Sequence, residues 1–177
     1  MPLEVYEIEA LELISAADRD EEAAGAIEAA RGAFEMVGFH LQQATEKRLK
    51  AILILHRQTP PYTHDIERLL EMLENLGLDI SSYRTAGILT NFAVMLRYAA
   101  GGSNDEAAIA LGKTVTRDVL TATVTEVSKR NLMMPGSKPL PSGMNLANVR
   151  REDLCPCNSE LKFKSCHYGP LRALGKI

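Results

Sequence analysis

Apolar side chains recur every three or four residues over most of the chain, which is the spacing of one face of an α-helix. This pattern predicts five helices, over approximately residues 3–30, 33–57, 63–77, 82–99 and 103–130. Proline and glycine separate them, because proline cannot continue a helix and glycine readily ends one. The sequence shows no strand-like alternation, so we predict an all-α, up-and-down bundle of about five helices.

Residues at several helix ends support these boundaries. Gly32 follows the first helix, Pro60-Pro61 ends the second, and Gly77 is predicted to stop the third. Thr63 is predicted to cap the third helix through its side-chain oxygen. Ser103 and Glu106, which follow Gly101-Gly102, have the spacing of a capping box and are predicted to open the fifth helix.

The composition changes at residues 133–149, where 17 residues include three Pro and two Gly. Such a segment is typical of a semi-extended linker. The chain is therefore predicted to consist of a helical bundle of residues 1–132, this linker, and a tail of residues 150–177.

Charge is distributed unevenly over these parts. Residues 150–177 carry six Lys or Arg against three Asp or Glu, a net charge of +3, which leaves −6 on residues 1–149. A basic tail on an acidic body is expected to meet any anionic partner, although a simply solvated tail would look the same. Overall, 46% apolar, 24% charged and only 5% aromatic residues are typical of a soluble helical protein.

The first residues are rich in Glu and contain no Lys or Arg, unlike the positively charged start of a secretory signal. No window approaches 18 uninterrupted apolar residues, so no transmembrane helix is expected. From these two features we expect a cytoplasmic protein.

All three cysteines lie in the tail, an odd and clustered set that favours a metal site over disulfides. Four donors fall within 13 residues: Cys155, Cys157, Cys166 and His167. Three thiolates and an imidazole complete the tetrahedral shell of zinc and leave no open position, so the site is predicted to be structural, with one zinc per chain. The alternative is three free cysteines beside a chance histidine.

This tail resembles the SEC-C motif, a small zinc knuckle known from the C-terminus of a preprotein translocase. The segment CPCNSELKFKSCHYG matches all four ligand positions, and residues 151–153 supply the family's Arg-x-Asp lead-in. Asn158 and Glu160 stand where the family usually has glycine. The resemblance implies contacts with protein, ribosome or a lipid surface.

The second helix carries a strip of polar donors beside its apolar stripe. Within a sector of about 80° lie His40, Gln43, Lys47 and Lys50. Such a strip could hold an anion or a base, or it could pair with carboxylates on neighbouring helices. Glu46 and Lys50 have the i, i+4 spacing of a helical ion pair, which favours the second interpretation for Lys50.

The run FHLQQATEKRLKA from Phe39 to Ala51, with His64 after the second helix and Arg97 at the end of the fourth, resembles the HEPN domain over roughly residues 8–130. The resemblance implies a dimeric bundle that binds a nucleotide or RNA, with a separate nucleotidyltransferase as a common partner. Because the donors of the strip share one sector of the second helix and phosphate favours clustered cationic donors, we predict that a nucleotide or anion site uses His40, Gln43, Lys47, Lys50 and Arg97.

Many HEPN domains are metal-independent ribonucleases, often toxins, in which four to six residues separate an Arg from the His that follows it. No histidine follows Arg97 at that spacing, and the formal pair Arg57 and His64 straddles a loop. We therefore interpret the chain as a non-catalytic binding module. The alternative is a ribonuclease toxin or defence enzyme that uses Arg97 with His64.

Apolar residues surround much of the predicted fourth helix: Ile88, Leu89, Phe92, Val94, Met95 and Leu96. A helix that is apolar on several sides needs more neighbours than a five-helix monomer readily supplies. This pattern predicts a homodimer.

Overall fold

The computed structural model describes residues 4–92, 104–130, 132, 146, 148–150, 152–157, 160, 162–163 and 166. The helices are α1 (Val5–Ala29), α2 (Phe34–Leu55), α3 (Ile66–Asn75), a 3-10 helix (Ser81–Asn91) and α4 (Asn104–Lys129). The described residues form no β-strand, and the predicted all-α bundle of five helices is confirmed. None of the described helices is both long enough and apolar enough to cross a membrane.

Helix α2 is the central helix of the bundle. It packs against α1, α3, α4 and the 3-10 helix, and no side chain from Leu41 to Leu55 is exposed. One large apolar cluster includes residues from all five helices, and a second joins α1 to the C-terminal half of α2 and to α4. Because α2 is enclosed in this way, its polar side chains must find their partners inside the protein.

Three helices end in the same way, with one residue in the left-handed conformation just after the helix. These residues are Arg31 (φ 54°), Arg57 (φ 57°) and Gly77 (φ 78°). In each case the following amide reaches back to a carbonyl of the last turn, as in the bond from Gln58 N to Leu53 O at 3.0 Å. Gly77 is thus the predicted stop, whereas α1 turns at Arg31, one residue before the predicted Gly32.

The predicted cap of the third helix was wrong by two residues. Asp65 is the N-cap, and its Oδ1 accepts a hydrogen bond from Arg68 N at 3.3 Å. Thr63 lies outside the helix, and its Oγ1 accepts from Asp65 N at 3.1 Å. A carboxylate is the stronger acceptor at the positive end of a helix, which explains the order of the two residues. The predicted capping residue Ser103 lies outside the described residues.

The predicted fourth α-helix begins as a 3-10 helix that is tied to its neighbours. Thr90 Oγ1 accepts from Ile66 N at 3.1 Å, and Thr90 O accepts from Gln42 Nε2 at 3.0 Å. A Cβ on Gly87 would lie 1.8 Å from Glu67 Oε2, so α3 approaches this segment closely. These tertiary contacts outweigh the local preference for an α-helix.

The residues behind the predicted homodimer fall into two groups. Leu89 and Phe92 are buried within the bundle, while Ile88 is 42% exposed. Val94, Met95 and Leu96 lie outside the described residues. The partly exposed Ile88 is the one described member of this set that is available to a second chain.

Candidate functional sites

Three of the four predicted metal ligands converge in the tail. The Sγ atoms of Cys155, Cys157 and Cys166 all lie within 4.8 Å of one another, and all three side chains are buried. Sulfur atoms that share a tetrahedral zinc at about 2.3 Å lie about 3.8 Å apart, and the Cys157 and Cys166 sulfurs are 3.5 Å apart. The arrangement fits a metal ion. The fourth predicted ligand, His167, lies outside the described residues.

The electrostatics of the cluster also suit a cation. Burial raises the pKa of the Cys155 thiol to about 12, because an anion is poorly solvated there. A buried thiol of this kind becomes a thiolate only when a positive charge replaces the lost solvation, as a bound metal does. The chemistry of the donors therefore agrees with their spacing.

A short hairpin holds the cysteines in position. Leu154 and Lys162 form an isolated antiparallel bridge, and Phe163 N donates to Asp153 O at 2.8 Å. The Asp153 carboxylate closes the preceding turn by accepting from Arg150 N at 2.8 Å. The bridge and the Phe163 bond connect residues 153–154, just before Cys155, to residues 162–163, just before Cys166.

The described residues of the knuckle include one apolar cluster. Phe163 is 1% exposed and packs with the three cysteines, and Leu146 and Val149 pack against this cluster. The last residues of the predicted linker thus take part in the packing of the knuckle.

Glu160, in the turn between the cysteine pair and Cys166, has a φ of 64°. This is the left-handed conformation that glycine adopts readily and other residues do not. The other predicted departure from the knuckle pattern, Asn158, lies outside the described residues.

The donors of the polar strip of α2 have partners within the bundle. The Asp20 carboxylate of α1 accepts from His40 Nδ1 at 3.0 Å and from Lys47 Nζ at 2.6 Å. Lys47 Nζ also donates to Gln43 Oε1 at 3.2 Å. Lys50 Nζ donates to Glu46 Oε1 and to the carbonyl of Thr63, both at 2.8 Å. In the described structure, His40, Lys47 and Lys50 therefore pair with carboxylates, which is one of the two interpretations of this strip.

The remaining bundle residues singled out by the sequence lie in different surroundings. His64 is 73% exposed, and its Nδ1 lies 3.1 Å from Oε2 of the buried Glu46. Arg57 instead pairs with Glu4 at 3.0 Å, and its guanidinium lies 4.5 Å from the centre of the Tyr6 ring. The two members of the formal Arg57 and His64 pair therefore engage different partners. Arg97 lies outside the described residues.

Arg48 is a buried charge that the sequence analysis did not single out. Its side chain is fully buried, and Nη2 donates to Asp18 Oδ1 at 2.8 Å and to Glu21 Oε2 at 2.7 Å. Nε and Nη1 have no hydrogen-bond partner. Burial raises the pKa of Asp18 even though Arg48 acts to lower it. The sequence offered one signal for this buried ion pair: Arg48 lies on the apolar stripe of α2, and residues 18–22 of α1 are rich in carboxylates.

A second polar cluster joins α2 to α4. Glu126 accepts from His56 at 2.8 Å, from Lys129 at 2.7 Å and from Arg130 at 2.7 Å. Burial acts to raise the pKa of Glu126, but the three hydrogen bonds outweigh it and lower the pKa from 4.5 to about 2. The spacing of residues 126, 129 and 130 along one helix indicates that these three can pair, but the contact with His56 depends on the fold.

Comparisons with known proteins agree with both parts of this description. The family model described as the HEPN domain matches residues 10–124, which run from α1 into α4. The SEC-C motif matches residues 151–169, which include all four predicted metal ligands. Neither the curated proteins nor the solved structures contain a significant match. Since the first match spans most of the chain, this protein belongs to the HEPN domain family and carries a C-terminal SEC-C motif.

Proposed function

We propose that this chain is a non-catalytic HEPN binding module that engages a nucleotide, RNA or a partner protein through its bundle. The supporting observation is the placement of the bundle histidines, each of which pairs with a carboxylate: His40 with Asp20, His56 with Glu126 and His64 with Glu46. Each pair joins separate segments of the bundle, which gives the histidine a structural role. The sequence also lacks the histidine that would follow Arg97 in a ribonuclease of this family.

The test is incubation of the purified protein with structured and unstructured RNA in excess chelator. We expect no efficient cleavage, because metal-free hydrolysis needs a group that exchanges protons near neutral pH beside a cation. Among the described residues, the exposed ring of His64, oriented by the buried Glu46, favours the alternative of a ribonuclease toxin or defence enzyme. Robust cleavage abolished by Arg97→Ala or His64→Ala would establish that alternative.

An anion site on α2 is part of the proposal, with His40, Gln43, Lys47, Lys50 and Arg97 as its residues. In the described structure Asp20 occupies the donors of His40 and Lys47, so a phosphate group would have to compete with that carboxylate. Phosphate carries more charge than a carboxylate and accepts several hydrogen bonds, which makes the exchange chemically reasonable. Such binding would weaken with rising salt.

Three variants test the anion site by nucleotide or RNA titration. Lys47→Ala with Lys50→Ala should weaken binding, and Asp20→Asn should strengthen it by removing the competing charge. Lys113→Ala is the matched control, because this lysine also pairs with an α1 carboxylate, Glu28, but lies away from the strip. If all of these variants bind as the unmodified chain does, the strip is purely structural.

For the tail, we propose one structural zinc per chain, held by Cys155, Cys157, Cys166 and His167. Three buried sulfurs within 4.8 Å of one another support a metal site, and the mixed sulfur and nitrogen donor set favours zinc. Elemental analysis of protein purified without added metal should find one zinc per chain. Another metal at that stoichiometry would correct its identity, and no metal would contradict the site.

We further propose a cytoplasmic homodimer that works with a partner, of which a nucleotidyltransferase is the first candidate, while the knuckle contacts protein, ribosome or an anionic surface. The partly exposed Ile88, and the basic character of the tail, support these contacts. Light scattering should show a dimer at micromolar concentration, and Ile88→Glu should shift it towards monomer. A monomer at that concentration would refute the dimer.

A further inference from the structure

The turn between the metal-binding cysteines contains a backbone conformation that its residue does not favour. Glu160 has a φ of 64°, and its side chain is exposed. In an L-residue the left-handed conformation brings Cβ close to the following carbonyl oxygen, a conflict that glycine does not have. The turn is therefore built on a strained residue rather than on the residue type that suits it.

Strain in this turn acts on a short segment. The described residues of the knuckle bury Phe163 with the three cysteines, and Leu146 and Val149 pack against them. A tail of 28 residues is too short to fold around an apolar core of its own, so metal binding would supply most of its folding free energy. Any strain in the folded turn is consequently subtracted from the free energy of metal binding.

We propose that Glu160 sets the metal affinity of this knuckle below the value that its ligands would otherwise give. The knuckle then folds only at a higher free-metal concentration, so that the availability of its contact surface depends on metal supply. This inference rests on the proposed function of the tail as a metal-folded knuckle. The new element is that the backbone conformation of Glu160, which is not a metal ligand, sets the free-metal concentration at which the contact surface of the knuckle forms.

The experiment measures zinc affinity of the full-length chain by competition with a chromophoric chelator at fixed pH. Glu160→Gly should bind zinc about fivefold to tenfold more tightly, since it removes the steric conflict. Glu160→Asn should show a smaller gain, because asparagine tolerates the left-handed conformation better than glutamate. Glu160→Gln removes the negative charge but keeps the conflict, so it should show no gain.

A control separates this effect from general changes in the chain. Arg31→Gly makes the same kind of backbone replacement at a left-handed residue of the bundle, and it should leave zinc affinity unchanged. Amide NMR signals of the tail, titrated with zinc, should show Glu160→Gly folding at lower free zinc than the unmodified chain.

The order of affinities decides the proposal. If Glu160→Gly binds no more tightly than Glu160→Gln, the backbone does not limit the affinity and the proposal is wrong. If Glu160→Gln itself gains as much as Glu160→Gly, charge rather than conformation is responsible, which also contradicts it. Failure of the unmodified chain to bind zinc at all would instead contradict the proposed metal site.

Discussion

The bundle and the knuckle both contain residues in the left-handed conformation, yet the two regions respond to such strain differently. In the bundle, Arg31 and Arg57 end long helices that are held by an extensive apolar core. In the knuckle, Glu160 lies in a short segment whose described apolar cluster is Phe163 with three cysteines. A large core absorbs a local cost as a small fraction of its stability, whereas a segment folded by a metal, as we propose for the tail, would convert the same cost into lower metal affinity.

The largest effect is expected when ligands of the knuckle are removed. The double variant Cys155→Ser, Cys157→Ser should lose all bound metal, because two of the three clustered thiolates are gone. The helical bundle should keep its melting temperature, since its core uses none of these residues. Elemental analysis and thermal melts by circular dichroism check the two statements. Retained stoichiometric metal, or a clearly lower melting temperature, would contradict them.

The reciprocal change weakens the bundle and leaves the knuckle intact. Leu49 on α2 is fully buried in the central cluster, and Leu49→Ala should lower the free energy of unfolding by about 3 kcal/mol. Urea denaturation followed by circular dichroism measures this, with Leu111→Ala, at a position 51% exposed, as a control that should change little. Metal content should stay at one per chain. A loss of metal would show that the two regions fold together.

The stability of the bundle should depend on pH through Glu126. The folded pKa of Glu126, about 2, lies below its unfolded value of 4.5, so its ion pairs stabilise the fold above pH 4.5 and lose this effect as the pH falls towards 2. Glu126→Gln should therefore lower the free energy of unfolding by roughly 2 kcal/mol at pH 7. The difference between variant and unmodified chain should shrink steadily below pH 4.5. A constant difference across that range would mean that the charge of Glu126 is not what stabilises the cluster.

The smallest expected effect is a gain in the stability of the bundle when Arg31 is replaced. Arg31→Gly relieves the left-handed residue after α1 and should raise the free energy of unfolding by about 0.5–1 kcal/mol. Arg57→Gly is the matched comparison: it relieves the same conformation but loses the contacts with Glu4 and Tyr6, so its net gain should be smaller. Chemical denaturation resolves the two. A greater gain at Arg57 than at Arg31 would show that those contacts contribute nothing.

The spacing of apolar residues predicted the helices because it reports directly which face of each helix is buried. It could not predict the 3-10 helix, since that segment takes its shape from the hydrogen bonds of Thr90 to α2 and α3. The cap at Thr63 was wrong for a related reason: two polar residues compete there, and the carboxylate of Asp65 binds the helix end. Periodicity describes single helices, while these details depend on contacts between them.

In the candidate sites, too, features within one segment could be predicted and contacts between segments could not. The cysteine cluster could be predicted from spacing alone, because cysteines that are so close in sequence are easily brought together in space. The polar strip of α2 was found on its own helix, but the partner Asp20 lies 20 residues before His40 and is brought there only by the fold. The buried Arg48 was missed because its place on the apolar stripe is informative only together with the acidic run of residues 18–22, and the fold is what brings two of those carboxylates to it.

Arg48 also has a consequence for how α1 and α2 align. Its Nη2 atom contacts the carboxylates of Asp18 and Glu21, which lie on adjacent turns of α1. Alanine and leucine faces can slide past one another by one turn, about 5.4 Å, and still bury similar area. A slide of three or four residues would place an acidic residue at no more than one of the two positions that Asp18 and Glu21 occupy, so the buried guanidinium would lose at least one of its two carboxylates. Arg48 thus favours the observed register of α1, so it contributes to the uniqueness of the fold as well as to its stability.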